Sequence, residues 1–419
     1  MTIGDRRQVQ LPSGYADRTD LRRHATRTPL LAQPVHRWFT FPHSYSHQLV
    51  GGIIRQWRLS AQDRIFDPFV GAGTTLVVAR EMGIPAFGLD VSPLAVFAAN
   101  LKVSNLLVAD LQQCWEQLSS GMPQSPPPTS PPRSRLLRRA FSQTAWAWWC
   151  WLSQRVEHLA SGAKRDFFTL ALLQAMREVC RAVSDGGWLR WTRQRITGAD
   201  LPQRWAAHVA SMLQDVENHP WAADKGRHWS ARLGDARFLE NDIGEFSAVI
   251  CSPPYPNRHD YTRVFAPELL LGFLDSDGLR TLRYNSFQSQ VEARSPCYAH
   301  NGYQAPGRLA QALAELHQAP VTDRRVVPMV EGYFRDTFEM LCALKSHLCP
   351  GAHLAFVVGN VRHAGVMIEV DQALADVGQM LGYSWEGSWV IRLRGNSAQQ
   401  MGTFGREPAR ESVVFLRLG

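Results

Sequence analysis

The chain of 419 residues is 45% hydrophobic and 10% aromatic, enough for a sizeable core and a second lobe, and 45 Lys plus Arg against 37 Asp plus Glu leave a net charge of +8 that suits an anionic partner such as nucleic acid. A bilayer span needs about 20 uninterrupted apolar residues; the best run, Ala145 to Leu152, is far shorter and Trp-rich, which excludes membrane insertion. The seven cysteines are scattered without a CxxC pair, which excludes a disulfide framework and a zinc site and predicts a reducing, cytoplasmic compartment.

In chain order, residues 1–34 read as an Arg-rich basic extension without the apolar block of a secretion signal. The first strand is Arg64-Ile65-Phe66, ending at Asp67 and entering the Gly-rich turn Pro68 to Gly73 before a helical pattern from Thr75 to Met82. A second unit follows: Pro85 to Leu89 reads as a strand ending in Asp90, and Ser92-Pro93 opens a helix toward Asn100. Two successive strand-turn-helix units predict a parallel sheet. From Leu101 to about Trp229 strand signals vanish, and stretches such as Asp166 to Val183 read as helical, so residues 101–230 are expected to form a mostly helical insertion. Within it, the Pro- and Ser-rich tract Met122 to Arg133 predicts a flexible or extended surface loop. Trp146, Trp148, Trp149 and Trp151 read as packing residues, and Arg133, Arg135, Arg138 and Arg139 as a solvated basic run.

The α/β pattern resumes at Ala231 to Gly234, leading to Asp235, and at Ser247 to Cys251, a strand that stops at Ser252-Pro253-Pro254-Tyr255. An irregular stretch, about Asp275 to Arg325, precedes a helix from Tyr333 to His347, the turn Pro350-Gly351 and the strand Leu354 to Val358. Ser384 to Leu393 and Ser412 to Leu418 lack a long helix between them and are expected to pair antiparallel at the sheet edge.

Two constellations carry chemistry. Glycines after a buried strand let backbone approach a ligand, and the helix that follows presents unpaired N–H groups. In Asp67 to Thr75 (DPFVGAGTT) there is neither the third glycine of a dinucleotide fingerprint nor the Lys of a P-loop. Asp90, about 20 residues on, ends the next strand, where a carboxylate can accept both hydroxyls of a ribose. Together they describe a nucleoside pocket. The second constellation is Ser252 to Tyr255, at a strand's carboxyl end, where open α/β sheets bind ligands. Consecutive prolines remove N–H donors and leave rigid carbonyl acceptors suited to an amino group. A tyrosine beside them can stack on an extruded base.

DPFVGAGTT, the acidic strand end Asp90, the GDA of Gly234 to Ala236 and the SPPY of Ser252 to Tyr255 together resemble the S-adenosylmethionine-dependent amino methyltransferases of DNA, most closely the cytosine-N4 branch. The resemblance implies an α/β, Rossmann-like class I methyltransferase with a mostly parallel seven-stranded sheet and a large helical insertion. Residues 35–100 and 231–419 would be the catalytic domain, and residues 101–230 a DNA-recognition or support lobe. It implies S-adenosylmethionine as cofactor, held by Asp67, Phe69, Gly71, Gly73, Thr74, Asp90 and Asp235. Ser252, Pro253, Pro254 and Tyr255 would be catalytic, with Asn257, Arg258 and Tyr261 close enough to touch substrate. Trp38 to Leu49 is similar to the motif that completes the cofactor pocket, and RGNSAQQ and RESVVFL within Arg392 to Leu416 to the family's closing segment. The insertion precedes the third motif, where the family does not usually place its recognition region, and Asp275 to Arg325 competes for that role. His43 and His47 are expected to be structural, since the chemistry needs no histidine base, and no metal.

The reading that follows is a site-specific methyltransferase acting on the exocyclic N4 amine of cytosine in double-stranded DNA, by base flipping and direct in-line transfer. A cognate restriction endonuclease is a candidate partner, and a bacterial, nucleoid-associated location is expected. Adenine N6 in DNA or an RNA base amine stays open, because the pocket demands only a flat base with an exocyclic amine. A catalytically silent nucleic-acid-binding subunit is the rival of another class.

Overall fold

The computed structural model describes residues 11–185, 187–192, 196–219, 221, 226, 228–394 and 408–419, so residues 1–10 of the basic extension and Gly395 to Gln400 of the RGNSAQQ segment lie outside the described residues. A short strand β1 (Tyr15–Asp17) lies within the stretch read as an extension. It is followed by α1 (His47–Trp57), capped by the Ser46 side chain and burying Leu49, Val50, Ile53 and Ile54 at helical spacing. The two expected units follow: β2 (Ile65–Asp67) with α2 (Thr74–Glu81), then β3 (Ala86–Asp90) with α3 (Pro93–Lys102), Pro93 standing at the helix start.

The insertion holds α4 (Val108–Ser119), α5 (Arg135–Ala140), α6 (Gln143–Glu157) and α7 (Ala163–Glu178). A hairpin of β4 (Ala182–Asp185) and β5 (Trp188–Trp191) and then α8 (Leu201–Asn218) complete it. The hairpin corrects the expectation of helix through Val183 and of a strand-free insertion; its signal was Gly186-Gly187 between two short runs with β-prone residues. Trp148 and Trp149 are buried as packing residues, while Trp146 and Trp151 are partly buried. The Pro-rich tract is strapped along α6, since Trp146 Nε1 donates to Ser130 O at 2.9 Å and Gln143 Nε2 to Thr129 O at 2.7 Å.

Beyond the insertion come β6 (Trp229–Leu233), β7 (Phe246–Cys251), α9 (Tyr261–Val264), α10 (Ala266–Gly272), α11 (Ser276–Asn285) and α12 (Gly307–Gln318). The chain closes with α13 (Val326–Lys345), β8 (Leu348–Gly359), the hairpin β9 (Val361–His363) and β10 (Val366–Ile368), α14 (Val370–Met380), β11 (Tyr383–Arg394) and β12 (Ala409–Leu418). Helices α11 and α12 correct the expectation of irregular chain from Asp275 to Arg325. The Asp275 side chain caps α11, and α12 buries Leu309, Leu313 and Leu316 on one face.

The described strands form one central sheet in the order β1-β11-β12-β8-β7-β2-β3-β6. From β8 to β6 every pairing is parallel, and β12 runs antiparallel to both β8 and β11. The architecture is thus α/β and Rossmann-like, seven strands as expected from β11 to β6, with β1 added as an eighth beside β11. Successive strand residues face opposite layers: Ile65 packs with α1, α2, α3 and the insertion, whereas Phe66 joins the layer of α13 and α14 and stacks on Phe246 at 4.6 Å. Among the described residues no helix is long and apolar enough to cross a membrane.

One buried lysine ties the N-terminal segment to the Gly turn. Lys102, 1% exposed, donates from Nζ to the carbonyls of His36 at 3.0 Å, Phe39 at 2.5 Å and Ala72 at 2.9 Å, which matches an ammonium's three donors. Lys102→Met removes all three partners from buried carbonyls and is expected to cost about 2–4 kcal/mol. Urea unfolding of the two proteins checks this, and a difference below about 1 kcal/mol would refute the staple.

Candidate active site

The carboxyl ends of β2, β3, β6 and β7 open into a cleft of about 1260 Å³, its mouth included. Its wall carries Phe69, Gly71, Thr74, Asp90, Asp235, Ser252 to Tyr255 and Tyr261. The sheet therefore brings the Gly turn, both strand-end acids and the tetrapeptide to one site, although they span almost 200 residues of sequence.

The Asp90 carboxylate locks the turn: Gly71 N–H donates to Oδ2 and Ser92 N–H to Oδ1, each at 2.9 Å. Burial pushes its carboxyl up to about 6. Two expected cofactor contacts sit off the cleft wall instead. Asp67 lies beneath the turn, accepting from Tyr45 Oη at 3.1 Å and Phe69 N at 3.0 Å, with burial pushing its carboxyl up to about 7. Gly73 has φ +82°, and a Cβ there would stand 2.9 Å from Ala99 Cα, so this glycine is required by helix packing. Both residues shape the turn.

Asp235 is gripped by Arg237, whose Nε lies 2.9 Å from Oδ1 and whose NH2 lies 2.6 Å from Oδ2. Arg237 reaches on to the buried Asp336 at 3.0 Å, and together the two acids hold the guanidinium strongly charged. Nothing in local sequence pattern marked Arg237, which is 2% exposed.

At the end of β7, Ser252 Oγ donates to Val357 O of β8 at 3.0 Å. With its hydrogen so committed, the hydroxyl has only acceptor lone pairs left for a ligand, and Pro253 and Pro254 have no N–H. Tyr255 is 6% exposed and donates to Glu411 Oε1 of β12 at 3.2 Å, and burial raises its hydroxyl pKa well above the usual value. Arg392 stands 3.6 Å from the other Glu411 oxygen. Glu411, within the expected closing segment, is a site residue the sequence reading did not single out.

Asn257 and Arg258, two and three residues beyond Tyr255, do not line the cleft: Asn257 Oδ1 accepts from His259 N at 3.0 Å, and Arg258, at φ +70°, pairs with Asp323 at 3.5 Å. Tyr261 does line it. From the segment ahead of α1, Phe41, His43, Ser44 and Tyr45 also reach the wall. His43, expected to be structural, places Nε2 3.3 Å from His259 Nδ1; burial draws the two imidazoles down to about 3 and about 4, so both are neutral at pH 7.

No protein-family model matches the chain. It is 27% identical, across 91% of its length and 85% of the relative's, to the type II methyltransferase M.BsoBI of Geobacillus stearothermophilus. It is also 27% identical, across 92% of its length and 87% of the relative's, to the type II methyltransferase M.AvaI of Nostoc sp.. Among solved structures, TrmN from Thermus thermophilus aligns with 89% of this chain and 49% of that one at 10% identity and a TM-score of 0.30.

Proposed function

Starting from a chain that is an S-adenosylmethionine-dependent methyltransferase, we propose that it methylates the exocyclic N4 amine of cytosine in double-stranded DNA at a specific short sequence. The observation that carries this reading is the acceptor set of the tetrapeptide: a serine hydroxyl whose hydrogen is already donated to Val357 O, followed by two prolines that offer carbonyls and no donors. An amine with two hydrogens finds neutral acceptors there and no competing N–H. Serine at the first position resembles the cytosine-N4 branch, where adenine-N6 enzymes usually carry Asp or Asn. The full-length likeness to type II methyltransferases supports a restriction-modification setting, with duplex DNA as substrate and a cognate endonuclease as partner.

The residues present fit the cofactor. The Asp90 oxygens each carry one backbone hydrogen bond and keep lone pairs for ribose hydroxyls. Asp235 is held in place at the cleft wall for an amino group on the adenine, and the start of α2 offers N–H groups beside Gly71 to a carboxylate. When bound, S-adenosylmethionine supplies an electrophilic methyl on a sulfonium leaving group. The protein's own share is positioning. Ser252 and the Pro253 carbonyl hold the amine hydrogens so that the nitrogen lone pair, otherwise delocalised into the ring, is turned toward the methyl, and Tyr255 stacks on the base. On transfer the nitrogen would gain the methyl as the donor's methyl–sulfur bond breaks, and its surplus proton would pass to solvent.

The test is incubation of the purified protein with labelled S-adenosylmethionine and unmethylated genomic DNA, then digestion to nucleosides and mass spectrometry. N4-methylcytosine is the expected product. N6-methyladenine would overturn the assignment of the base, and label entering only RNA, or nothing, would overturn the substrate.

A further inference from the structure

Two arginines of β11, Arg392 and Arg394, stand beside the Tyr255–Glu411 pair and make no side-chain hydrogen bond among the described residues. Strand register sets Arg392 opposite Glu411 of β12, and Glu411 opposite Gly359 of β8, so the three form one row across the sheet. Side chains alternate along a strand, which puts Arg394 on the same face as Arg392. Gly359 leaves that face open to the tetrapeptide: a Cβ there would stand 2.9 Å from Tyr255 Cε2 and 3.5 Å from Arg394 Nη1. The Arg394 guanidinium and the Tyr255 ring therefore meet over one glycine.

The charge at this point is unbalanced. Glu411 takes the Tyr255 hydroxyl on Oε1, and Arg392 comes only within 3.6 Å of the other oxygen, which is buried without a hydrogen-bond donor. Arg394 is partly buried and forms no ion pair among the described residues. One carboxylate thus stands against two guanidiniums. Burial first, then His259, then the charges of Arg394, Arg27 and Arg392 draw the His43 imidazole down, so a third arginine, from the Arg-rich N-terminal stretch, adds its charge near the same part of the cleft wall. A guanidinium presents five N–H donors in a planar fork that matches a phosphate, and a partly buried one with its donors unfilled favours an anion.

Resting on the function proposed above, we infer that Arg394, with Arg392 beside it, binds a backbone phosphate of the target strand next to the extruded base. In a nucleotide only the sugar separates base from phosphate, so a base stacked on Tyr255 brings its phosphates within reach of a guanidinium beside that ring. Neither arginine lines the cleft, which leaves the cavity to base and cofactor and puts the charge outside it, where the backbone must pass. A phosphate contact fixes the register and orientation of the strand, and so brings the amine in line with the methyl.

The experiment compares wild-type protein, Arg394→Gln and Arg394→Lys on unmethylated genomic duplex DNA over a series of salt concentrations, reading kcat, KM for DNA, S-adenosylmethionine binding and melting temperature. Arg394→Gln is expected to raise KM for DNA about tenfold at low salt and to make the fall of log(1/KM) with log salt shallower by about one, since one phosphate contact fewer releases counterions. Cofactor binding and melting temperature stay at wild-type values. Arg394→Lys, which keeps the charge but not the fork, is expected to restore the salt slope with only part of the affinity. An unchanged KM and slope in Arg394→Gln would overturn the phosphate contact. A loss of cofactor binding that accounts for the lost rate would assign the charge to the cofactor's carboxylate, and a fall in melting temperature that accounts for it would make the role structural; either overturns the inference. If wild-type protein yields no methylated DNA nucleoside, the function proposed above fails, an outcome separate from any effect of Arg394.

Discussion

Tyr255→Ala is expected to lower kcat for methyl transfer about a hundredfold while leaving S-adenosylmethionine binding close to that of wild type. Stacking of a base on an aromatic side chain is worth about 1–3 kcal/mol, and each ~1.4 kcal/mol is a factor of ten in rate. Loss of the ring also lets the base rotate, so the amine meets the methyl out of line. Tyr255 is well placed for this because its far end is fixed: the hydroxyl donates to Glu411, which β12 carries beside β8. Tyr255→Phe keeps the ring and removes that anchor, so a smaller loss, on the order of a few-fold to tenfold, is expected. Single-turnover kinetics with saturating cofactor separate the two variants. A Tyr255→Ala enzyme at near wild-type rate would remove the tetrapeptide from the chemistry.

How much of this was legible in the chain depends on how local the constraint is. The Gly turn, the acid twenty residues on and the proline pair at a strand end are each dictated by backbone chemistry over a few residues, and the structure gathers them around one cleft. What they touch was not legible. A glycine needed for positive φ and close helix packing reads the same as one needed for ligand approach, and the packing of Gly73 against Ala99 is visible only in the fold. The hydrogen bond from Tyr45 to Asp67 was not legible for a similar reason, since the two lie 22 residues apart and only the fold brings them together. Arg237, which holds Asp235, and Glu411, 156 residues from the tyrosine it anchors, owe their positions to sheet order alone. The β4–β5 hairpin escaped because two four-residue strands carrying Trp and Arg match no strong periodic pattern.

Asp90→Ala is expected to weaken S-adenosylmethionine binding a hundredfold or more, because it removes two functions together. The backbone N–H groups of Gly71 and Ser92 lose this acceptor, so the turn loosens, and the ribose loses its charged partner. Hydrogen bonds to a charged group are worth about 1.5–3 kcal/mol each. The same carboxylate predicts a pH dependence. Burial raises its pKa from 3.8 to about 6 in the folded chain, so between these values the native state binds more protons than the unfolded one, and stability from this group falls as pH rises. Cofactor binding has the opposite sign, since ribose hydroxyls donate to the ionised form. Affinity is therefore expected to be level above about pH 7 and to decline as pH drops through 6, approaching tenfold per unit. Isothermal titration from pH 5 to pH 8 checks this. Asp90→Asn, which cannot titrate, is expected to bind weakly with no such slope, and an unchanged slope in that variant would assign the effect to another group.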